Sequence, residues 1–210
     1  MYVRQIGQRK LTFSVSGKLW MRSLVMIDSQ TGSLWSHILG EAMAGPLKGT
    51  QLTIIPSAMT DWASWKAKHP QTTVVMLPRT SRKFRREFFR NPERFVIGYV
   101  DDGKTRAWGF DVLGKSPVIN DQHGRQPVLV TFNVKANAPY LFSRMIDGKT
   151  FTFSEKNGKL TDDQTNSVWD RTSGKAISGS MKGKQLKPLP GVVSFKRAWQ
   201  NFHPNSSYAK

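Results

Sequence analysis

A long stretch of this sequence occurs twice, and no other feature constrains the fold as strongly. Residues 28–70 align without gaps to residues 162–204 at a constant offset of 134, and 16 of the 43 positions are identical. Unrelated segments of this length share roughly two or three identities, so the match indicates an internal duplication. The identical pairs include Trp35/Trp169, Trp65/Trp199 and His69/His203.

The duplication extends towards the N-terminus, although one copy is longer. Residues 4–13 match residues 144–153 at an offset of 140, which places an insertion of six residues around Gly17 to Arg22. Residues 95–143 have no counterpart in the first copy. The sequence therefore predicts one compact α+β body of two homologous repeats, mostly antiparallel β-structure with short helices. We also expect a sheet assembled from both copies, with one half lacking strands.

The predicted boundaries follow from the repeat and from composition. The first, incomplete repeat covers residues 1–78, a basic helical connector covers residues 79–94, and the fuller second repeat covers residues 95–210.

Each copy ends in a pattern typical of a short helix. In the first copy Thr60 is a candidate N-cap, Asp61 suits the positive first turn, and Pro70 ends the helix. In the second copy Ser194 takes the cap position and Pro204 is again the stop. Two different sequences thus predict the same helix.

Strand signals fill most of the remaining chain. Alternating apolar and polar residues predict a strand from Leu11 to Ser16, with a turn at Gly17. Residues 95–100 and 105–112 predict a hairpin around Asp101–Gly103, and residues 126–132 predict a buried strand.

Charge and cysteine content limit the classes of function. The net charge is +18, which favours anionic partners such as nucleic acid, a membrane surface or an acidic protein. The chain has no cysteine, which excludes disulfides, thiolate catalysis and cysteine-based metal sites. No apolar run is long enough to span a bilayer, and residues 1–10 lack the apolar centre of a secretory signal.

The most basic segment is predicted to be a short amphipathic helix and the main binding site. Its cations face an anionic partner, whereas the alternative interpretation is an ordinary solvated face. Phe84 and Phe88, four residues apart, can stack on bases or enter a bilayer interface. The predicted anion-binding residues are Arg79, Arg82, Lys83, Arg85, Arg86, Arg90 and Arg94.

Several longer motifs resemble one known family. They are residues 13–19, 28–35, 40–42, 45–49 and 62–70 in the first copy, and residues 104–107, 118–121, 124–130 and 169–204 in the second. Together they are similar to the prokaryotic family catalogued as domain of unknown function thirty-one seventy-nine. The resemblance covers nearly the whole chain.

The resemblance implies an extracytoplasmic location, since fuller members are often exported or lipid-anchored. It also implies a Cys-Pro-x-Cys-like element on the strand before the first copy's Phe-x-Val-Ser-Gly motif. Asn133 and Lys135 occupy the place in the second copy where a thiol could have sat. The family has no established activity, so the resemblance implies none here.

The repeated aromatic and histidine residues permit a second interpretation. Trp35, Trp169, His69 and His203 can line a cleft between the copies, although large repeated aromatics are more typical of a core. Each His-Pro pair lies at a helix end, where a cation is electrostatically favoured, so a structural cap is the simpler explanation. No spacing indicates a metal site, a cofactor site or a catalytic group.

These observations favour a non-catalytic binding or accessory component, which acts alone or as a subunit of a larger assembly and docks on an anionic partner. The alternative is an enzyme or small-ligand-binding protein with a cleft between the copies.

Overall fold

The computed structural model describes residues 1–74 and 91–209. This part of the chain is rich in β-structure, with three short α-helices, and its sheets are mostly antiparallel. The α+β class predicted from the sequence is therefore confirmed at this level. Among the strands of the described residues, only the short pairing of residues 207–208 with residues 106–107 is parallel.

The first segment, residues 1–74, forms a small hairpin, a four-stranded antiparallel sheet in the order β3-β4-β5-β6, and one helix. Its elements are β1 (Gln5–Ile6), β2 (Arg9–Lys10), β3 (Phe13–Trp20), β4 (Ser23–Asp28), β5 (Leu34–Ser36), β6 (Ala42–Ala44) and α1 (Trp62–Lys68). Every strand pairs with its neighbour in sequence, because each connection is a short turn.

The second segment, residues 91–209, opens with elements that the first segment lacks. After a 3-10 helix (Pro92–Arg94) come β7 (Phe95–Asp101), β8 (Lys104–Gly109), α2 (Phe110–Lys115), β9 (Val118–His123), β10 (Gln126–Asn133) and β11 (Ala138–Ser143). β10 is buried along most of its length and lies between β9 and β11. The predicted hairpin is β7 and β8, whose turn has positive φ at Asp102 and Gly103.

The remaining elements of the second segment are β12 (Met145–Ile146), β13 (Lys149–Thr150), β14 (Phe153–Lys156), β15 (Lys159–Asp162), β16 (Val168–Trp169), β17 (Ala176–Ser178), β18 (Val192–Phe195), α3 (Lys196–Phe202) and β19 (Ser207–Tyr208). Apart from β18 and β19, they follow the order of the first segment. The sheet order β14-β15-β16-β17 has the same connectivity as β3-β4-β5-β6. β18 and β19 instead flank the β7–β8 hairpin.

Each four-stranded sheet contains a matching turn, and equivalent hydrogen bonds stabilise the two turns. The indole Nε1 of Trp35 donates to Asp28 Oδ2 at 2.9 Å, and that of Trp169 donates to Asp162 Oδ2 at 2.9 Å. Thr31 and Thr165 donate to the same carboxylates. Burial acts to raise the pKa of Asp28, but the hydrogen bonds from Trp35, Thr31 and Ser33 outweigh it and lower the pKa. These aspartates organise turns, as expected for a residue that bonds its own backbone.

The two segments have separate interiors. Trp35 packs with Leu11, Ala42 and Leu52, whereas Trp169 packs in another cluster that includes Phe153 and Leu186. Within the described ranges no sheet contains strands of both segments, so the expected shared sheet is not formed. The short connections explain this, since each sheet is complete within its own segment.

Three local expectations differ from the structure. Gly17, expected to be a turn, lies inside β3 at an irregularity with φ of 76°, and the chain reverses at Met21 and Arg22. Asp61 caps α1 by accepting from the Ser64 amide, one residue after the predicted Thr60. In the second segment the N-cap is Phe195 rather than Ser194, which belongs to β18.

Helix α2 is a fourth difference, because residues 110–112 were expected to continue a strand. Phe110 and Leu113 are both buried and lie three residues apart, as a helix requires. Asp111 occupies the first turn and Lys115 the last, and both placements suit the helix dipole.

Candidate functional site

The predicted basic segment lies largely outside the described residues. Arg79, Arg82, Lys83, Arg85, Arg86 and Arg90 fall in the undescribed range, so their role in binding stays a prediction. Arg94 ends the 3-10 helix, is exposed, and lines a surface groove.

This cationic groove is open to solvent and has a volume of about 540 Å³. It is built from three places in the chain: the turn between β3 and β4, Arg94, and the start of α3. Four of its side chains are cationic and exposed, namely Arg22, Arg94, Lys196 and Arg197. The other lining residues are Met21, Phe195, Ala198, Gln200 and Asn201.

No acidic side chain among the described residues lines this groove. Lys196 and Arg197 lie in the first turn of α3, which contains no acidic residue, and the partly positive helix end adds to their charge. Like charges gathered without counter-charges raise the local potential and attract anions. The groove is therefore suited to an anionic surface.

The β3–β4 turn forms one wall of the groove. Trp20 pairs with Ser23, so that Met21 and Arg22 are the two residues of the loop. The Trp20 ring packs edge-on against Phe202 of α3, with 4.9 Å between ring centroids. This contact fixes the turn against α3 and brings Arg22 alongside Lys196 and Arg197 in the groove.

The tryptophans of the predicted cleft lie elsewhere. Trp35 and Trp169 are fully or almost fully buried in the separate interiors of the two segments. Neither side chain reaches the boundary between the segments, because each is held by the aspartate of its own turn. The structure thus does not bring these two residues together.

The two histidines lie at helix C-termini. The backbone N–H of His69 donates to Trp65 O, and that of His203 donates to Trp199 O. Their rings pack near the same tryptophans, at centroid distances of 4.0 and 4.1 Å. Burial lowers the pKa of His203. Both histidines therefore act as caps packed against an indole.

A cleft does exist between the segments, and His69 is the one residue of the predicted four that lines it. It has a volume of about 540 Å³ and lies between α1 and the β16–β17 region. Lys68 Nζ and Asp170 Oδ2 meet across it at 3.0 Å. Burial acts to raise the pKa of Asp170, but hydrogen bonds from Thr172, Ser173 and Lys68 outweigh it and hold the pKa far below its ordinary value.

Other polar groups converge on the same cleft. Tyr140, Asn133 and Ser64 line it together with Trp65, which is 37% exposed. The Thr60 hydroxyl is buried there and lies within hydrogen-bonding reach of the Tyr140 phenol. The described residues contain no group of three or more His, Asp or Glu side chains that could hold a metal ion.

Sequence reasoning missed Met21, Arg22, Lys196 and Arg197 as parts of one site. A turn of Met21 and Arg22 carries no glycine, asparagine or proline signal, so sequence patterns do not indicate it. The excess of cations in residues 171–210 was a usable signal for Lys196 and Arg197, but it does not show what they face.

Comparison with known proteins gives one finding. The model of the family described as "Protein of unknown function (DUF3179)" matches the chain twice, over residues 1–95 and over residues 91–206. No curated protein and no solved structure matches the chain. In the described ranges, no helix has the length and apolar character needed to cross a membrane. Since the two matches together cover nearly every residue, the chain belongs to the DUF3179 family.

Proposed function

We propose that this protein is a non-catalytic binding or accessory component that docks on an anionic partner. The observation that carries the proposal is the cationic groove, where Arg22, Arg94, Lys196 and Arg197 converge from three parts of the chain and where none of the described lining residues is acidic. Four cations held at one place attract a polyanion more strongly than the same charges spread over the surface.

The basic segment 79–94 supports the same function from the sequence side. It enters the described structure at Asn91 and ends at Arg94, which lines the groove. The cations of residues 79–90 therefore precede a groove residue in the sequence, and the proposal assigns both sets of cations to the same anionic partner. We further infer that the two four-stranded sheets derive from one duplicated unit, because their connectivity and their Asp–Trp contacts agree.

A salt titration tests the function. The purified protein is titrated with three anionic probes: heparin, duplex DNA, and vesicles containing phosphatidylserine. Affinity for at least one probe should fall about tenfold or more between 50 and 200 mM salt, since counterions are released when several cations are neutralised. Affinities that are absent or flat for all three probes would overturn the proposal.

A matched pair of variants separates the groove from net charge. Replacing Arg22, Arg94, Lys196 and Arg197 by Gln should weaken binding about tenfold or more. Replacing four exposed cations outside the groove removes the same charge and should change affinity only slightly. The control positions are Lys48, Arg125, Lys149 and Lys182. Equal loss in both variants would show that binding follows total charge and not this groove.

Small-ligand binding in the cleft between the segments is a second candidate function. The partly exposed Trp65 ring and the polar side chains around it favour it, because a pocket of this kind combines an apolar face with a few polar groups. The Lys68–Asp170 pair leaves those two charges satisfied, so the ligand class is a neutral polar compound such as a sugar.

Tryptophan fluorescence during titration with mono- and disaccharides tests this candidate. Trp65→Ala should abolish the response, whereas Trp62→Ala, on the same helix but outside the cleft lining, should retain it. The absence of any saturable response in the unmodified protein would overturn it.

A further inference from the structure

Large apolar side chains crowd the tip of the β3–β4 hairpin. The hairpin tip, residues 18–22, reads Lys-Leu-Trp-Met-Arg. Leu19 is 71% exposed, Met21 is 46% exposed and Trp20 is 37% exposed. Isolated exposed apolar residues are ordinary on a protein surface, but three consecutive ones at the end of a hairpin indicate a contact surface.

Both sides of the hairpin tip are apolar. Leu19 and Trp20 are adjacent residues of one strand, so their side chains point to opposite faces of the hairpin. Trp20 remains partly exposed although one edge of its ring packs on Phe202. A flat site on a folded partner covers one face of a hairpin, whereas immersion in a lipid interface covers both.

Cations surround the apolar tip. Lys18 and Arg22 flank it within the hairpin, and both are exposed. The remaining groove cations, Arg94, Lys196 and Arg197, lie on the side where Met21 and Arg22 form the groove wall. Long cationic side chains beside an apolar wedge can reach lipid phosphates while the apolar groups enter the acyl region.

Nucleic acid matches this chemistry less well. The four groove cations suit a phosphate backbone, and Trp20 can stack on a base. Leu19 and Met21, however, gain little from a polyanion, because their aliphatic surface stays in water. An anionic lipid surface uses both the charges and the aliphatic groups.

The turn itself is conformationally costly. Met21 and Arg22 have φ of 48° and 63°, in the left-handed region that Asn-Gly turns adopt easily. A residue with a side chain is strained there relative to glycine. The chain nevertheless places an apolar and a cationic side chain at the two outermost positions, which suits a role for these side chains outside the fold.

We propose that the hairpin tip inserts into the interface of an anionic lipid bilayer, with the groove cations on the lipid phosphates. The inference rests on the proposed function, since it specifies which anionic partner the groove takes. Leu19, Trp20 and Met21 enter the boundary between headgroups and acyl chains. Lys18 and Arg22 remain at the headgroups.

Vesicle binding tests the inference. Sedimentation is measured with phosphatidylcholine vesicles that contain or lack about one-third phosphatidylserine. Binding should be about tenfold or more stronger to the anionic vesicles, because each cation near such a surface adds attraction. Quenching by brominated lipids should be strong in the unmodified protein and much weaker in Trp20→Phe, which identifies the tip as the inserted element.

A variant with unchanged net charge separates insertion of the apolar side chains from electrostatic attraction to the vesicles. Leu19→Ser with Met21→Ser should reduce partitioning into anionic vesicles about tenfold, since two exposed aliphatic groups lose their burial in lipid. The matched control is Val134→Ser with Met145→Ser, which removes one aliphatic residue and one methionine of similar exposure elsewhere. It should bind vesicles as the unmodified protein does.

The outcomes distinguish the two proposals. If heparin or DNA binds with steep salt dependence but anionic vesicles do not, the lipid inference fails and the proposed function stands. The lipid inference also fails if the Leu19/Met21 variant partitions as the control does. If no anionic probe binds, both fail. Unfolding curves of both double variants verify that the fold is intact, as expected for exposed positions.

Discussion

Helices α1 and α3 share a local sequence pattern, but their matching tryptophans, Trp65 and Trp199, are buried to different extents. Each helix ends at a His-Pro pair, and each tryptophan donates its indole N–H to a hydroxyl seven residues later, Thr72 or Ser206. Yet Trp199 is fully buried, whereas Trp65 is 37% exposed. Local sequence therefore determines that the helix forms, and distant strands determine how deeply its tryptophan is buried.

The β7–β8 hairpin accounts for the difference. Trp199 lies directly on Gly98 of β7, where an added Cβ would come within 2.3 Å of the ring. β18 and β19, on either side of α3, pair with β7 and β8. The aligned residues 58–61 and 73–74, on either side of α1, form no strand. Without such a hairpin, Trp65 faces the open cleft instead of a sheet.

The largest effect is expected from removing the two tryptophans in turn. Trp199→Ala should cost about 3–5 kcal/mol of unfolding free energy, because it leaves a cavity between α3 and β7. Trp65→Ala should cost about 1 kcal/mol or less, because its ring is already partly hydrated. Urea unfolding of both variants measures the difference. Similar losses at the two positions would contradict the contrast between the helices.

Smaller losses of stability, equal in the two segments, are expected for Trp35 and Trp169, because their turns make the same contacts. Trp35→Phe and Trp169→Phe each remove one N–H donor from a buried aspartate, at a cost of about 1–2 kcal/mol. The two losses should match within about 0.5 kcal/mol because the surrounding contacts correspond. Trp62→Phe, at an exposed position, serves as the control. Clearly unequal losses would show that the two turns contribute differently to the free energy of unfolding.

The smallest effect is expected for the pair that ties α1 to the second segment. Asp170→Asn should cost about 1 kcal/mol or less at neutral pH, since the Asn oxygen can still accept from Thr172 and Ser173 and the lost Lys68 partner is half-exposed. The pKa of Asp170 is lowered on folding, so the ionised group stabilises the fold above its ordinary pKa of about 4. That contribution is lost as the pH falls below about 4 towards the folded-state pKa.

Unfolding curves at several pH values test this dependence. The difference in stability between the unmodified protein and Asp170→Asn should be largest above about pH 5 and should shrink steadily below about pH 4. A difference that stays constant down to pH 2 would show that the carboxylate's charge contributes nothing.

Short-range patterns predicted much of the fold. Helices α1 and α3 follow from a polar start and a proline stop, and both were located within one residue at their N-termini. The β7–β8 hairpin follows from Asp-Gly at its turn. The burial of β10 follows from its continuous run of apolar residues. Each of these features depends on neighbours a few residues apart, which a single sequence displays directly.

Features that depend on tertiary context were not predicted. Helix α2 is only six residues long, and its burial against β7 and β10 overrides the β-propensity of its residues. The turn at Met21 and Arg22 contains no glycine, so the sequence does not predict it. The groove assembles residues 22, 94 and 196–197, and only the closed fold brings these positions together. Sequence charge pointed to an anionic partner without locating this surface.

The pairing of β7 with β18 has a consequence for how the protein forms during synthesis. Phe95 pairs with Phe195 and Arg106 pairs with Ser207, so this sheet joins residues about a hundred positions apart. The bridge from Tyr2 to Ile54, by contrast, closes within the first quarter of the chain. The early part can collapse while the ribosome is still translating, but the face of the β7–β8 hairpin that bears Val96 and Ala107 stays uncovered until Trp199 emerges.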